Sequence, residues 1–569
     1  MLPVKAKSFL QPTGRFFERF GAQIVVALSC VVTWILHMPL TLLPLGRDQG
    51  IWITAGQAVG SGKAFFKDFM HFNLPGSAYA YRVILAFVND PQTAPAYLSA
   101  LFSVIMIVGL YLLLSETTSK IAGAWAGALY AVCWPMRMTW WGISQKDFLA
   151  TPWILLAIWA VARATPDRRF YRLSMFAGGV FTLIAAQFKP IFGGLGILLF
   201  AGVAIRAIWA GCDENAELFQ TVRRLVKEGL LLLGGAIVGI LPLILVQAKN
   251  GALSETYYST FLLGREYLSR HNRSFESLID RYFHYVHGAK FSLSIPMLTV
   301  CYLGVVAWAL WFGKRQRFWL VIVFFMSIGG FFGQFKGMGY HLDPWFVTLM
   351  MCGGIAGGFG LQKSRLVPFQ KISWLYVAIA VVVSLVSIEG MHHALTDTRI
   401  AKIEMKAWKK DMPRNRYIKR YFSKKRPATP APYVTEKLAA WIKKRTRPED
   451  SIVVWGSECQ VYVLSGRRFA GQAPFDQCIT SVPSSEKGRE WISKQQARYV
   501  HLLEQDPPKY FVVTTKDTNT VERIPSDRSL RKFTALKAFV DANYSLEKTF
   551  ERFKIYIHRD QQGETGDQN

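Results

Sequence analysis

Long apolar runs separated by short polar stretches occupy the first two thirds of the chain. Each run has roughly 16 to 22 residues and few charges, and a helix of about 20 residues crosses the hydrocarbon core of a bilayer. The pattern therefore predicts about eleven transmembrane helices. The predicted spans are 22–43, 96–115, 120–136, 148–164, 173–188, 191–209, 229–247, 293–312, 318–333, 343–360 and 372–390.

The last third of the sequence, from about Met391, has the composition of a water-soluble protein, and the mean hydropathy of the whole chain is therefore only +0.19. We predict a polytopic α-helical membrane domain over 1–390, a basic linker over 391–431 and a small soluble α/β domain over 432–569. In that domain a helix is predicted over 435–445 and strands over 452–454, 461–464, 510–514 and 554–558. This organisation excludes a soluble cytosolic enzyme, a disordered protein and a disulfide-dense secreted module.

The distribution of basic residues predicts the orientation. The chain has 67 Lys and Arg against 38 Asp and Glu. Most basic residues of the membrane domain lie in the N-terminal tail and in alternate short loops, so the positive-inside rule places the N-terminus in the cytoplasm. An odd number of helices then places the C-terminal domain outside, in a periplasm-like compartment. The basic stretch 399–426 would lie there too, either as a solvated stalk or as a clamp on anionic lipid headgroups or an anionic glycan.

Two long external loops, 44–95 and 248–292, are the expected carriers of function, because long loops on a helical bundle usually hold binding and catalytic residues. The first begins Gly46-Arg47-Asp48-Gln49-Gly50. A carboxylate beside an arginine stays ionised, so it can act as a general base on a hydroxyl or bind a cation.

The same loop carries a second set of polar residues, Asp68, His71 and Asn73. A plainer interpretation is that Asp48 and Asp68 only cap helices. Amphipathic helices are predicted over 51–59 and 77–88, lying along the membrane surface.

The order of these motifs resembles a known superfamily. Arg47-Asp48-Gln49-Gly50 is followed by a Gly-Lys-x-x-x-Lys-Asp-Phe segment and then by Leu-Pro-Gly. This looks like the first external loop of the bacterial polyprenyl-phosphate-sugar-dependent glycosyltransferases of the GT-C fold, which include protein O-mannosyltransferases and the lipid A aminoarabinose transferase. The segments 142–147 and 335–344 are similar to two further motifs of that superfamily. The sequence departs from it at residues 71–73, where many relatives have Asp-His-Lys.

The resemblance implies an integral protein of the bacterial inner membrane with a GT-C-like fold. It further implies an inverting glycosyltransferase that moves a sugar from a polyprenyl phosphate to a hydroxyl of a cell-envelope lipid, polysaccharide or protein on the periplasmic face. Asp48 takes the place of the catalytic aspartate, and Asp68 takes that of the aspartate in the second segment.

A lipid phosphate is a good leaving group, so it needs cations more than a proton donor. Candidates for binding the donor phosphate and sugar are the polar residues of these motifs together with Lys189, which lies on the predicted outer face. The full set is Arg47, Gln49, His71, Asn73, Lys146, Asp147, Lys189, Lys336, Tyr340 and His341. For Lys189 a snorkelling role at a helix end is an alternative, and for Asp147 a helix cap.

The remaining predictions concern acceptor, cofactor and redox state. Aromatic and basic residues in loop 248–292 are candidates for acceptor binding, namely Tyr258, Arg265 and Tyr267. A divalent cation such as Mg²⁺ or Mn²⁺ at Asp48 and Asp68 stays open. Cys459 and Cys478 could pair if the C-terminal domain faces an oxidising compartment.

Two other classes of protein remain as alternatives, a transporter or flippase of lipid-linked glycans and a non-catalytic envelope-assembly subunit. Few charges lie in the middle of the predicted spans, which disfavours a transporter. Membrane lipids are expected partners, and nucleic acid is not expected for a chain whose basic segment lies outside.

Overall fold

The computed structural model describes residues 4–137, 140–214, 218–270, 274–287, 315–336, 338–366, 406–422, 429–518 and 524–562. Two predicted spans, 293–312 and 372–390, lie outside the described residues. The other nine coincide with helices.

The regular elements of the N-terminal part, in its described residues, are all helices. Short 3-10 helices at Met38–Leu42, Pro91–Thr93, Pro190–Gly194, Arg315–Phe318 and Gly339–Leu342 and a π-helical turn at Tyr258–Leu263 join or extend the α-helices. The α-helices are α1 (Val4–His37), α2 (Arg47–Gly60), α3 (Gly76–Leu85), α4 (Ala94–Thr117), α5 (Lys120–Arg137), α6 (Lys146–Arg163), α7 (Tyr171–Phe188), α8 (Leu195–Glu214), α9 (Leu218–Lys249), α10 (Leu253–Tyr257), α11 (Gly264–Arg270), α12 (Phe275–His287), α13 (Trp319–Phe332) and α14 (Asp343–Leu366).

Four helical segments in the described part are long and apolar enough to cross a membrane: Phe20–Leu42, Pro91–Thr117, Pro190–Trp209 and Leu218–Lys249. Within the described residues, the other five predicted spans coincide with shorter or less apolar helices, so the number of about eleven spans stays a prediction. Helix α9 exposes one apolar face, with Leu230, Leu233, Ile237, Leu241 and Leu245 among its exposed side chains. Such a face suits contact with lipid rather than water.

The helices pack against one another, and this packing brings loops that are distant in sequence to the same end of the helical bundle. Helix α4 packs against α1, α5 and α6, helix α7 against α6 and α9, and α14 against α5. The loop before α6, the end of α7 and the loop before α14 therefore meet. They meet beside the start of α2, the first helix of loop 44–95.

The C-terminal part contains the predicted α/β domain. Its helices are α15 (Arg414–Phe422), α16 (Pro432–Arg445), α17 (Gln460–Ser465), α18 (Gln477–Thr480), α19 (Glu486–Gln505), α20 (Ser526–Lys532) and α21 (Thr534–Asn543), and its strands are β1 (Ser451–Trp455), β2 (Arg468–Phe469), β3 (Tyr510–Thr514), β4 (Tyr544–Phe550) and β5 (Phe553–His558). The strand order is β2-β1-β3-β5-β4.

Pairs β1–β2 and β1–β3 are parallel, with Ile452 opposite Tyr510, whereas β3–β5 and β4–β5 are antiparallel. The central strands β1 and β3 are buried along their whole length. Their continuous apolar sequences are typical of strands covered on both faces.

One predicted strand is wrong. Residues 461–464 form part of helix α17, not a strand. Their valines favour a strand locally, but Gly466 has φ 67° and ends the helix in the left-handed conformation that glycine adopts easily. Burial of almost the whole helix against β1 and its neighbours overrides the local propensity.

Candidate active site

At the start of helix α2, three successive side chains, those of residues 47 to 49, contact three different parts of the molecule. Arg47 Nε lies 2.5 Å from Glu458 Oε1 in the C-terminal domain. Asp48 Oδ2 accepts a 2.9 Å hydrogen bond from the side-chain amide of Gln145. Gln49 Nε2 donates to the carbonyl oxygens of Trp141 and Ile143 at 3.1 and 2.6 Å.

The loop before α6 has an uncommon backbone conformation at Ser144, next to Gln145, the partner of Asp48. Ser144 has φ 55°, in a backbone region that residues other than glycine seldom adopt. Its hydroxyl donates to Pro95 O at 2.5 Å. Phe335, next to Lys336, has φ 52°. Such strain persists only where surrounding contacts enforce it, and it concentrates at functional sites.

Asp147 connects three elements at the centre of the site. It is fully buried, and its Oδ2 accepts from Lys189 Nζ at 2.5 Å at the end of α7. Its Oδ1 accepts from Gln334 Nε2 at 3.0 Å, in the loop after α13. Asp147 is therefore more than a helix cap, because it fixes the direction of a buried cation.

Lys146, Lys189 and Lys336 lie close to the Asp147 carboxylate, and Lys146 and Lys336 also interact with Asp48. Burial lowers the pKa of each lysine. For Lys189 the Asp147 carboxylate offsets part of the lowering by burial, and the pKa of Lys189 is about 8. Lys189 and Lys146 add like-charge repulsion to the burial of Lys336, and the pKa of Lys336 falls to about 6. An anion placed among the three ammonium groups would relieve this repulsion.

The two predicted histidines are buried and neutral. His71 Nδ1 accepts from the backbone N–H of Asn73 at 2.9 Å, and its ring packs on Trp52 and Phe475 with centroids at 4.5 and 5.5 Å. Burial lowers its pKa well below the ordinary value, with Lys146 adding to the effect. Burial also lowers the pKa of His341, which lies beside Lys189 and Lys336.

Asp68 has a different environment from Asp48. Its carboxylate accepts from Ala64 N at 3.0 Å and pairs with Arg498 of helix α19 at 3.1 Å. It is 37% exposed, and Phe66 within the same turn has φ 71°. These contacts hold the 64–69 turn against the C-terminal domain.

Among the predicted acceptor residues, Tyr258 packs against two aromatic rings, those of Trp491 and Tyr257. The ring of Tyr258 stacks on Trp491 of α19, with centroids 5.4 Å apart. Arg265 is exposed. The side chains of Tyr267 and Tyr340 lie outside the described part.

Two further expectations concerned a metal ion and a disulfide. In the described ranges, no three His, Cys, Asp or Glu side chains are grouped so as to hold a metal ion. Cys459 and Cys478 are free thiols, so the conditional prediction of a disulfide is not met. Both are buried, which raises their pKa values well above the ordinary range, and Cys459 Sγ donates to Pro474 O.

The C-terminal domain covers loop 44–95. Met70 N donates to Gln472 O at 2.8 Å, and Phe69 packs edge-on against Phe469. The linker also takes part: Phe422 packs on Trp140 in the loop that holds Gln49. The site therefore lies where the N-terminal helices meet the C-terminal domain.

Three participants were not among the predicted site residues: Gln145, Gln334 and Glu458. Gln145 directly precedes Lys146, and Gln334 directly precedes the segment 335–344. Including one more neighbouring residue at each of these places would have identified both glutamines. Glu458 carries no such signal, because it lies about 410 positions from Arg47 and only the fold brings the two together.

No protein-family model matches the chain. No curated protein matches it at a significant level.

Solved structures do resemble it. ArnT from Cupriavidus metallidurans aligns in the apo state with a TM-score of 0.54 at 13% identity, over 94% of this chain and 97% of that one. ArnT bound to undecaprenyl phosphate aligns with a TM-score of 0.53 at 14% identity, over 94% and 98%. The archaeal oligosaccharyltransferase AglB from Archaeoglobus fulgidus, in complex with an inhibitory peptide and a dolichol-phosphate, aligns at 0.47 and 11% identity, over 96% and 75%.

The AglB alignment is too distant to carry an argument, and identities this low establish fold alone. The resemblance to the GT-C-fold glycosyltransferases is thereby confirmed as a resemblance in fold. The chain has the fold of a membrane protein with a C-terminal sheet.

Proposed function

We propose that this protein is an inverting glycosyltransferase that transfers a sugar from a polyprenyl phosphate to a hydroxyl of a cell-envelope acceptor. The observation that carries the proposal is the position of the Asp48 carboxylate, which Gln145 holds beside Lys146 and Lys336 in a cluster of three largely buried lysines. ArnT, which has the same fold, binds undecaprenyl phosphate. A cluster of this composition suits that class of ligand.

The lysines would bind the phosphate of the donor. Lys189 is held in place by Asp147, and Lys336 gains most from an added negative charge because burial and like charges hold its pKa at about 6. Cations prearranged around a phosphate stabilise the charge that develops as the sugar leaves. The polyprenyl tail would stay in lipid beside the helices.

Asp48 would act as the base. The acceptor hydroxyl attacks the anomeric carbon, its proton passes to the Asp48 carboxylate, and the bond between that carbon and the phosphate oxygen breaks. The electron pair leaves with the polyprenyl phosphate, and the configuration at the anomeric carbon inverts. One carboxylate is enough, because the phosphate needs no proton to leave, unlike the leaving group of a glycosidase.

Gln145 would orient both the base and the substrate. Its amide nitrogen donates to Asp48 Oδ2 and to Trp141 O, and in the described part of the chain its buried Oε1 has no hydrogen-bond donor. A buried acceptor of this kind is costly unless it finds a donor. A hydroxyl of the sugar or of the acceptor would supply it.

We assign Asp68, Arg47 and His71 to structure rather than to contact with the donor. Asp68 pairs with Arg498, Arg47 pairs with Glu458, and His71 is neutral among aromatic rings. The site would face the periplasm of a bacterial inner membrane, as the distribution of basic residues predicts.

The test is release of free polyprenyl phosphate from a polyprenyl-phosphate-sugar pool in membranes that contain cell-envelope acceptors. Asp48→Asn should lower the rate about 10²- to 10⁴-fold, the usual contribution of a positioned base. Asp90→Asn is the matched control, because Asp90 lies in the same loop and only caps a 3-10 helix. Equal rates for wild type and Asp48→Asn would remove Asp48 from the mechanism.

A further inference from the structure

Arg47 and Glu458 form a buried ion pair between the membrane part and the C-terminal domain. Their side chains are only 7% and 1% exposed. Asp517 Oδ2 lies 4.0 Å from the same guanidinium. Burial alone would lower the pKa of Arg47, but the Glu458 and Asp517 carboxylates outweigh it and raise that pKa.

The C-terminal side of this contact is rigidly built. Asp517 accepts from the backbone N–H and the hydroxyl of Ser526 at 2.8 and 2.7 Å. Glu458 also accepts from the side-chain amide of Gln460. Burial raises the pKa of Glu458 and Arg47 opposes this, so loss of either partner would leave an uncompensated buried group.

A second contact fixes the same turn of α2. A Cβ atom on Gly50 would lie 2.3 Å from the backbone nitrogen of Gln460 and 2.7 Å from its Cα. Only glycine allows this approach. The first turn of α2 is therefore held at two points, Arg47 and Gly50. Arg47 contacts Glu458 and Gly50 contacts Gln460, so both partners lie within residues 458–460.

Asp48 lies between these anchors and points elsewhere. Successive helical side chains differ in direction by about 100°, so a helix held at residues 47 and 50 has a fixed direction for residue 48. That direction leads to Gln145 in a different element. A rotation of the first turn would move the carboxylate away from the lysine cluster.

We propose that Glu458 is a positioning residue for Asp48, acting through Arg47, and that the C-terminal domain thereby completes the active site. The inference rests on the proposed function for its catalytic consequence. It differs from the sequence-based prediction for Arg47, in which the guanidinium binds the donor phosphate.

The experiment compares Glu458→Gln with Glu436→Gln in the full-length protein. Glu436 is the control, because it also pairs with an arginine, but with Arg414 of the linker rather than with Arg47 of α2. Glu458→Gln should lower kcat by about 10²-fold, as a misplacement of about 1 Å does, with little change in the KM of the donor. Glu436→Gln should behave like wild type, and Glu458→Asp, which keeps the charge, should recover part of the rate.

Amide hydrogen exchange of residues 46–50 gives a readout that needs no turnover. Glu458→Gln should exchange faster there than wild type and Glu436→Gln. Unchanged exchange, or faster exchange with an unchanged kcat, overturns the positioning role. If wild type itself releases no polyprenyl phosphate, the proposed transfer fails, while the exchange result still decides whether Glu458 anchors α2.

A double-mutant cycle separates positioning from general stabilisation. If Glu458 acts through Asp48, Glu458→Gln should cause no further loss of rate in an Asp48→Asn background. An equal fold-loss in both backgrounds means that Glu458 acts independently of Asp48 and contradicts the proposal.

Discussion

Lys336 is the residue whose charge depends most on what the site contains. Its pKa is about 6, because burial and the charges of Lys189 and Lys146 oppose protonation. A bound phosphate would favour the protonated form and raise that pKa. Binding of the donor should therefore take up a proton at neutral pH.

This linkage predicts how affinity depends on pH. The dissociation constant of undecaprenyl phosphate should rise between about pH 6 and about pH 8, by at most about tenfold per pH unit for one proton. Lys336→Arg should flatten this dependence, because a guanidinium stays charged throughout. Titrations of the two proteins at several pH values provide the measurement.

The phosphate of the lipid itself titrates near about pH 6, but it does so equally with both proteins. The comparison therefore isolates Lys336. The same slope for Lys336→Arg and wild type would mean that Lys336 does not meet the phosphate.

At this scale the sequence predicted the site in part. Motif order singled out Asp48, Asp147 and Lys336, and the structure places them together. Arg47 was predicted to bind the donor because it belongs to the same motif as Asp48, but the direction of the side chain turns by about 100° from one helical residue to the next. Local sequence does not reveal that Arg47 faces Glu458.

At the scale of elements, helices α7 and α9 pack by direct backbone contact through glycines. A Cβ atom on Gly235 would lie 1.9 Å from Phe176 O, and one on Gly179 would lie 2.0 Å from Leu232 O. Small residues at such crossings let helices approach closely where lipid surrounds them. Near the end of α7, two residues before Lys189, Gln187 also donates to Gly239 O of α9 at 2.7 Å.

Two adjacent glycines of α9 provide a matched test. Gly235→Ala should lower the thermal stability of the detergent-solubilised protein, because overpacking against a backbone costs about 1–3 kcal/mol or more. Gly234→Ala should leave stability unchanged or slightly raise it, since its nearest atom is Phe176 Cε2 at 3.7 Å. Equal midpoints for the two variants would contradict this packing.

Elements with a long and strong pattern were predictable, and short ones were not. Nine predicted spans coincide with helices, and the central strands β1 and β3 lie at the predicted positions. Residues 461–464 were misassigned because four apolar residues fit a strand or a buried helix equally well. Helix α17 is fixed by tertiary contacts and by Gly466.

At the scale of the whole molecule, the C-terminal domain is part of the site. It covers loop 44–95 through Gln472, Phe469 and Arg498, and it holds α2 through Glu458. The sequence predicted such a domain but not its docking, because the contacting residues are hundreds of positions apart. The basic linker is itself attached to the C-terminal domain, because Arg414 pairs with Glu436 through two hydrogen bonds at 2.9 and 3.1 Å.

The most direct test of the central claim is the position of the phosphate in an experimental structure with undecaprenyl phosphate bound. It requires no knowledge of the sugar or the acceptor. We predict phosphate density within ion-pair distance, about 4 Å, of Lys336 and Lys189, beside the Asp48 carboxylate. Phosphate density elsewhere, for example at Arg206 and Arg224 around Glu228, or no bound lipid at saturating concentration, would contradict the account.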